Sequence, residues 1–476
     1  MNNDNKKTEN LALKAGAWYV VSSVVVKAIS IITTPIFTRL LSKSEYGTVA
    51  TFSSWHALLL IFCTLNLTYS IGRAKLDFKG QLDDYIGSMQ LLSGIVSFFL
   101  LMVTIIFINP ISVLLELSKP ATLILVVYLF FGPTVSFYQN GFRYQYKYKQ
   151  NIAIAWYIAL GTVFFSLFFV LSNEAYRAEW RMAGIAFPTI LLSSAFWINS
   201  IRHKRLNFNK EYWKYGLSIS LPLILHTLSL NLLSQSDRIF ISKMCGTEDT
   251  ALYSLVYNYS LFLSIVMNSI ADGWLPWFHD NYFSGNKELI HKNSKKLVVL
   301  GCYIGLGCIA IAPEAILLLG GKDYLLGLPC VLPVVLGVTC QYIYTHYVNI
   351  ELHLKKTKYV SGGTIFATVL NLVLNLILIP RYGFVAAAYT TLASYIALLI
   401  IHFGITRIKL RIRLYDDPFM FGAMIVTSLV AVVVTMTYDN IVARYGLLVV
   451  GFLTFLLYFK EYIGSFLKKS VSRNFK

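Results

Sequence analysis

Residues 360–379 read VSGGTIFATVLNLVLNLILI, twenty positions without one charged side chain. As a helix this run spans about 30 Å, the thickness of a bilayer's hydrocarbon core. Thirteen further apolar runs lie near 17–37, 48–72, 86–108, 120–141, 152–172, 183–201, 213–233, 251–272, 296–318, 326–350, 384–405, 417–437 and 443–464. The runs near 120–141 and 326–350 carry Pro133 and Pro333, which membrane helices tolerate where neighbours satisfy the freed carbonyl. Composition agrees: 56% of the 476 residues are hydrophobic and 13% charged, and mean hydropathy is +0.61. Soluble chains run near ~25% charged, so the apolar surplus must face lipid. The expected fold is an all-α integral membrane protein with about fourteen transmembrane helices.

Charge sets an expected orientation. With the N-terminus in the cytoplasm and the spans alternating, 30 of the 41 Lys and Arg fall on the cytoplasmic side, 10 fall outside and Lys27 lies within a span. Basic residues favour the inner face, so both termini are expected inside. Trp18, Trp156, Trp197, Trp213, Trp274 and Trp277 fall near the inner span ends, where an amphipathic ring prefers to sit. The net charge of +18 is mostly this bias, which suits anionic lipid rather than nucleic acid. The polar N-terminus MNNDNKKTENLALK lacks a small-residue cleavage site, so the first span is expected to be retained. The cysteines (Cys63, Cys245, Cys302, Cys308, Cys330, Cys340) show neither disulfide nor metal spacing.

The chain reads as a duplication. A shift of about 204 places TPIFTRLLSKSEYGTVA over DRIFISKMCGTEDTALYS, with Arg39 on Lys243, Glu45 on Asp249 and Val49 on Tyr253. The same shift maps Ser23, Lys27, Ser30 and Thr34 onto Thr227, Asn231, Ser234 and Arg238. Each set is one face of a helix. A shift of about 203 relates RMAGIAF (181–187) to FVAAAYT (384–390). Two six-span copies in the same orientation fit a parallel repeat, common in secondary transporters, with substrate between the halves. The expected division is a cytoplasmic segment 1–16, an N-lobe 17–201, a C-lobe 202–405, two added helices 406–464 and a cytoplasmic tail 465–476.

TRLLSKSEYG, SLNLLSQSDRIFISKMCGTEDTALYS and above all ELHLKKTKYVSGGTIFATVLNLVLNLILIPRYGFVAAAYTTLASY (351–395) resemble the polysaccharide exporters of the multidrug/oligosaccharidyl-lipid/polysaccharide superfamily. The third stretch looks like the C-terminal half of Wzx-type flippases for O-antigen or capsule repeat units. The resemblance covers roughly 10–405. It implies two pseudo-symmetric lobes around a central cavity, an undecaprenyl-diphosphate-linked glycan as substrate, and the bacterial inner membrane as location. A polysaccharide polymerase and chain-length proteins are candidate partners, and no cofactor is implied.

An ionisable side chain at membrane depth is costly and so is presumed functional. Lys27 is the first candidate, as a cation for diphosphate or an acidic sugar, against snorkelling or a helix contact. Arg73 closes the second span on the face of Asn66 and Ser70; it could receive diphosphate or merely anchor the interface. Asn231 and Arg238 join the substrate-binding set through the repeat. Arg39, Glu45 and Asp237 read as gate or structural polar groups. The eleventh span carries Thr357, Ser361, Thr364, Thr368, Asn371 and Asn375 in one stripe, suited either to sugar hydroxyls or to gluing helices. No carboxylate reads as deep in a span, Asp272 and Glu314 lying near ends, which disfavours an ion-coupled drug exporter. His56, His226, His346 and His402 have no ligand spacing and read as packed or hydrogen-bonded. There is no Walker A sequence, nucleophile elbow or Cys-His signature, and the outer loops are short, the longest being 234–250. A repeat-unit polymerase or ligase is therefore disfavoured, and no enzyme activity is expected.

Overall fold

The computed structural model describes residues 2–474, with side chains described within 15–460 except at 17 and 20. Among the described residues there are helices and no strands. In chain order these are α1 (Asn2–Leu40), α2 (Lys43–Thr64), α3 (Thr68–Asp77), α4 (Leu82–Ile106), α5 (Ile108–Leu115), α6 (Lys119–Tyr144), α7 (Tyr148–Ser172), α8 (Arg177–Arg202) and α9 (Lys210–Cys245). Then come α10 (Thr247–Phe283), α11 (Lys287–Ala310), α12 (Ala312–Gly320), α13 (Val331–His353), α14 (Thr357–Tyr382), α15 (Val385–Gly404), α16 (Asp417–Met436) and α17 (Ile441–Asn474). A 3₁₀ segment, Lys322–Cys330, leads into α13, and a π-helical turn, Ile405–Lys409, follows α15. In lipid the backbone must satisfy its own hydrogen bonds, which leaves helices as the open choice for such segments.

Among the described residues, thirteen helices are long and apolar enough to cross a membrane. Counting the pair α11 and α12 as one bent span gives fourteen. The expected count therefore holds, with two breaks that apolarity does not announce. The run near 48–72 is interrupted at Leu65 and Asn66, whose φ angles of 49° and 53° are left-handed. The run near 296–318 bends by 56° between α11 and α12. Pro313 supplies the reason, since it cannot donate to the carbonyl four residues back. That carbonyl, Ile309 O, accepts the Tyr438 hydroxyl at 3.0 Å. Cys308 O accepts Tyr259 Oη at 2.6 Å. Neighbouring tyrosine hydroxyls thus satisfy the carbonyls at the Pro313 bend.

The chain folds into two compact units, each built from more than one stretch of sequence. Unit 1 comprises 1–255, 319–321 and 364–390; unit 2 comprises 256–318, 322–363 and 391–476. Unit 1 thus joins the first six spans to α9, the start of α10 and most of α14. Its core holds Phe37, Phe52, Leu125, Leu129 and Met182, with a second cluster around Ile71, Tyr85, Met89, Phe137 and Tyr212. In unit 2, α11 packs against α13, α16 and α17. There Arg444, only 2% exposed, pairs with Glu314 of α12, and Arg407 pairs with Asp417.

Candidate functional site

Within unit 1, α1 turns two kinds of face. Ser22 is buried and accepts the Trp156 indole N–H of α7 at 3.1 Å. Five residues on, about 140° around the helix, Lys27 is exposed beside exposed Ser23 and Ser30. No hydrogen bond or ion pair with other described residues engages the Lys27 ammonium. Thr34 is buried and returns its hydroxyl to Ser30 O. The structure thus leaves a cation with small hydroxyls for neighbours on an open face of a candidate span, Val21–Leu40.

The polar residues of α9 behave differently. The helix runs on to Cys245, so Asp237 and Arg238 lie within it rather than at its end. Asn231 is half-buried and donates Nδ2–H to Thr227 O at 2.9 Å. Arg238 donates to Gln235 Oε1 at 2.8 Å, and Ser54 of α2 donates to the same oxygen at 3.2 Å. Asp237, 1% exposed, accepts Asn375 Nδ2–H at 2.7 Å and the Tyr253 hydroxyl. Asn375 also donates to Asn371 Oδ1 at 3.2 Å and accepts from Thr390. This buried network joins α9, α10, α14 and α15. Charge-assisted bonds from an amide and a phenol satisfy a carboxylate that burial alone would penalise. Of the eleventh-span stripe, Thr357 is exposed and Ser361 half-buried, while Thr364, Thr368, Asn371 and Asn375 are buried. Thr368 donates to Ser229 O at 2.9 Å. In this arrangement the inner stripe holds helices together.

Arg73 is exposed on α3 and pairs with Asp77 at 3.3 Å, while Asp77 also accepts the Tyr215 hydroxyl at 2.6 Å. Arg39 is exposed and donates to Pro35 O at 2.9 Å. Glu45 closes a capping box: its carboxylate accepts Ser42 N–H at 2.7 Å, and Ser42 Oγ accepts Glu45 N–H at 3.2 Å. This Ser-x-x-Glu pattern is legible in SKSE. The two repeated motifs meet here. Ser44 and Thr247 share a hydroxyl hydrogen bond of 2.8 Å, Lys43 lies 3.7 Å from Glu248, and a methyl on Gly47 would sit 1.8 Å from Thr247 O.

Arg238, Asn371, Asn375 and Asp237 therefore belong to one buried neighbourhood, in which neither Lys27 nor Arg73 takes part. Gln235, Tyr253 and Thr390 complete it, and no motif in the sequence marks them for that role. Two carboxylates are buried within the protein, Asp237 in α9 and Glu351 in the last turn of α13. Glu351 sits just past the apolar run 326–350. His402, expected to be packed or hydrogen-bonded, is Glu351's partner. His56 stacks on Tyr128, and His346 Nδ1 is 3.2 Å from Tyr342 O. Among the described residues no group of three or more His, Cys, Asp or Glu could hold a metal ion.

Unit 2 carries an apolar groove of about 1080 Å³ between α11, α16 and α17, lined by Tyr303, Phe419, Val426, Leu447, Phe452 and Phe455 among others. Its walls are hydrocarbon and aromatic, so it suits a lipid chain and not a sugar.

Comparison with known proteins gives the setting. The Lipid II flippase MurJ in an inward closed conformation is similar in structure, with a TM-score of 0.73, 13% identity, and coverage of 94% of this chain and 100% of MurJ. An inward-facing multidrug resistance MATE transporter of the MOP superfamily follows with a TM-score of 0.61 and 12% identity, covering 82% and 98% of the two chains. The fold is thus that of these membrane transporters. Lsg locus putative protein 1 of Haemophilus influenzae is 25% identical over 276 residues, 55% of this chain and 64% of that protein, so the match leaves over a third of the relative unspanned. Capsular polysaccharide biosynthesis protein CapF of Staphylococcus aureus is 22% identical over 54% of this chain and 67% of its own. A family described as polysaccharide biosynthesis protein matches residues 12–281, more than half of the sequence, and the chain belongs to that family.

Proposed function

We propose that the protein is a flippase, carrying undecaprenyl-diphosphate-linked oligosaccharide repeat units of an O-antigen or capsule across the bacterial inner membrane by alternating access. The observation that carries this reading is Lys27, a cation without a partner among the described residues, on an open polar face of a candidate membrane span. Diphosphate is strongly anionic, and unaided passage through ~30 Å of hydrocarbon is prohibitive. A cation in a low-dielectric setting lowers that barrier, and a single ammonium still permits release. Ser23 and Ser30 beside it suit phosphate and sugar oxygens. A multidrug exporter shares the fold, but the family match is to polysaccharide biosynthesis.

Deletion of the gene in its native host tests this. The expected result is loss of surface glycan together with accumulation of the undecaprenyl-diphosphate-linked repeat unit inside the cell, both restored by the wild-type gene. Intact surface glycan with altered drug susceptibility would overturn the proposal and favour the exporter.

A further inference from the structure

Glu351 of α13 and His402 of α15 are 0% and 1% exposed, and both belong to unit 2. His402 Nδ1 lies 2.9 Å from Glu351 Oε1. The second carboxylate oxygen, Oε2, is buried without a hydrogen bond. The imidazole is held on two sides. Tyr344 stacks on it at 5.7 Å between centroids and 19° between planes. From α14 comes Gly363, where a methyl would stand 3.0 Å from His402 Nε2. Only a residue without Cβ lets that backbone come so near. Directly after α15 the helix widens into the π-helical turn Ile405–Lys409, and Thr406 donates its hydroxyl to His402 O at 3.0 Å. Such turns are rare and concentrate at functional sites.

A carboxylate and an imidazole are a poor choice for gluing two helices. Burying them is expensive, an oxygen is left unsatisfied, and apolar side chains of similar volume would hold α13 to α15 at less cost. What apolar side chains cannot do is exchange a proton, a recurrent use of ionisable groups inside membrane spans. Tyr344 of α13 is the ring on the imidazole, and α14 presents Gly363. Arg407 of the π-turn and Asp417 of α16 are paired with each other, and Tyr347 of α13 donates to Asp417.

We propose that Glu351 and His402 form a proton-binding site whose occupancy is linked to movement of α13 against α15. In the starting state of this proposal the imidazole carries protons on both Nε2 and Nδ1, the latter directed at Oε1 of the carboxylate, and the pair is neutral overall. A further proton, taken from water, forms a new O–H bond at Oε2. The carboxylate becomes an acid beside an imidazolium, the pair carries one positive charge, and the ionic attraction between the helices is gone. Loss of that proton to water restores it. Acidification therefore favours separation of α13 from α15, and by linkage separation raises the affinity for the proton.

The full-length protein in lipid nanodiscs, without cargo, tests this by two readings, so the result stands apart from the identity of the substrate. The first is an infrared difference spectrum between neutral and acidic pH. A protonated carboxyl band is expected in the wild type and in Glu314→Gln. It should be absent in Glu351→Gln, whose amide still accepts a hydrogen bond from His402, and its midpoint should move in His402→Gln. The second is hydrogen exchange of residues 395–409, corrected for intrinsic rates. Protection should fall at least about ten-fold on acidification in the wild type, as loss of ~1.4 kcal/mol of local stability would give, and stay flat in Glu351→Gln. Identical difference spectra for wild type and Glu351→Gln, or pH-independent protection in the wild type, would overturn the proposal. If Glu351→Gln does not fold, an unmoved carboxyl midpoint in His402→Gln has the same force.

Discussion

At the scale of single residues, Lys27 and Gly47 separate charge from shape. Lys27 is exposed and unengaged among the described residues, so its replacement should cost little stability, within about 0.5 kcal/mol as for other surface positions. Its effect should fall on export. Lys27→Ala is expected to reach the membrane normally and to reduce surface glycan strongly. Lys27→Arg should keep part of the activity, because charge survives in a bulkier head, and Lys27→Glu should be worst, because it repels the anion. Surface glycan measured beside membrane protein level checks this, and full export by a normally expressed Lys27→Glu protein would leave the lysine a structural role. Gly47 makes the opposite prediction. A methyl there would meet a main-chain oxygen, Thr247 O, at 1.8 Å, and backbone cannot swing aside as a side chain can. Gly47→Ala should destabilise unit 1 by about 1–3 kcal/mol, as overpacking does, seen as a lower melting temperature in detergent. Gly307→Ala, with open space around its Cβ, should melt with the wild type.

At the scale of elements, what the sequence reveals and what it hides follow from range. Apolar length is a local property, so the number of spans is legible, while α9 and α10 run on to Cys245 and Phe283, about a dozen residues past the apolar runs 213–233 and 251–272. The capping box at Ser42 and Glu45 is equally local, and Glu45, which reads in the sequence as a gate or structural polar group, closes that cap. The break at Leu65 and Asn66 is hidden, since neither is a glycine and only tertiary packing holds two left-handed residues there. Asp237 is visible, but its burial depends on α9 continuing past the apolar run, where Asn375 and Tyr253 replace water. Glu351 and His402 are 51 positions apart, and no periodicity links them. Asp416, outside the spans, gives an element-scale prediction. It caps α16 by accepting Phe419 N–H at 3.2 Å. The ion-paired hydrogen bond from Lys295 holds its carboxyl below the usual carboxylate range. A lowered folded value means the pair stabilises fully above the ordinary value, and this contribution is lost as pH falls through the lowered one. Asp416→Asn keeps the cap and removes the charge. It should lower stability by roughly 1 kcal/mol or less at neutral pH, since the pair is partly exposed. The difference from wild type should close in acid. Thermal melting across pH measures it, and a gap that widens on acidification would contradict the assignment.

At the scale of the whole molecule, orientation is a property of summed charge rather than of any one contact. The segments expected on the cytoplasmic side hold 30 of the 41 basic residues, and 201–215 and 406–416 are among the densest. Basic residues near span ends resist translocation, so an inverted chain would have to carry roughly three-quarters of them across the membrane. No single substitution reverses such a bias, and the prediction therefore concerns the entire map. The native thiols give a quiet background: Cys63, Cys302, Cys308, Cys330 and Cys340 are buried, and only half-buried Cys245 needs replacement. In that background, cysteines are placed singly at exposed Asn207 and Arg413 and, for the opposite face, at exposed Glu174. Glu174→Cys should react with an impermeant thiol reagent in intact spheroplasts. Asn207→Cys and Arg413→Cys should react only after the membrane is opened. Ready labelling of both loops from outside, with Glu174→Cys silent, would invert the map.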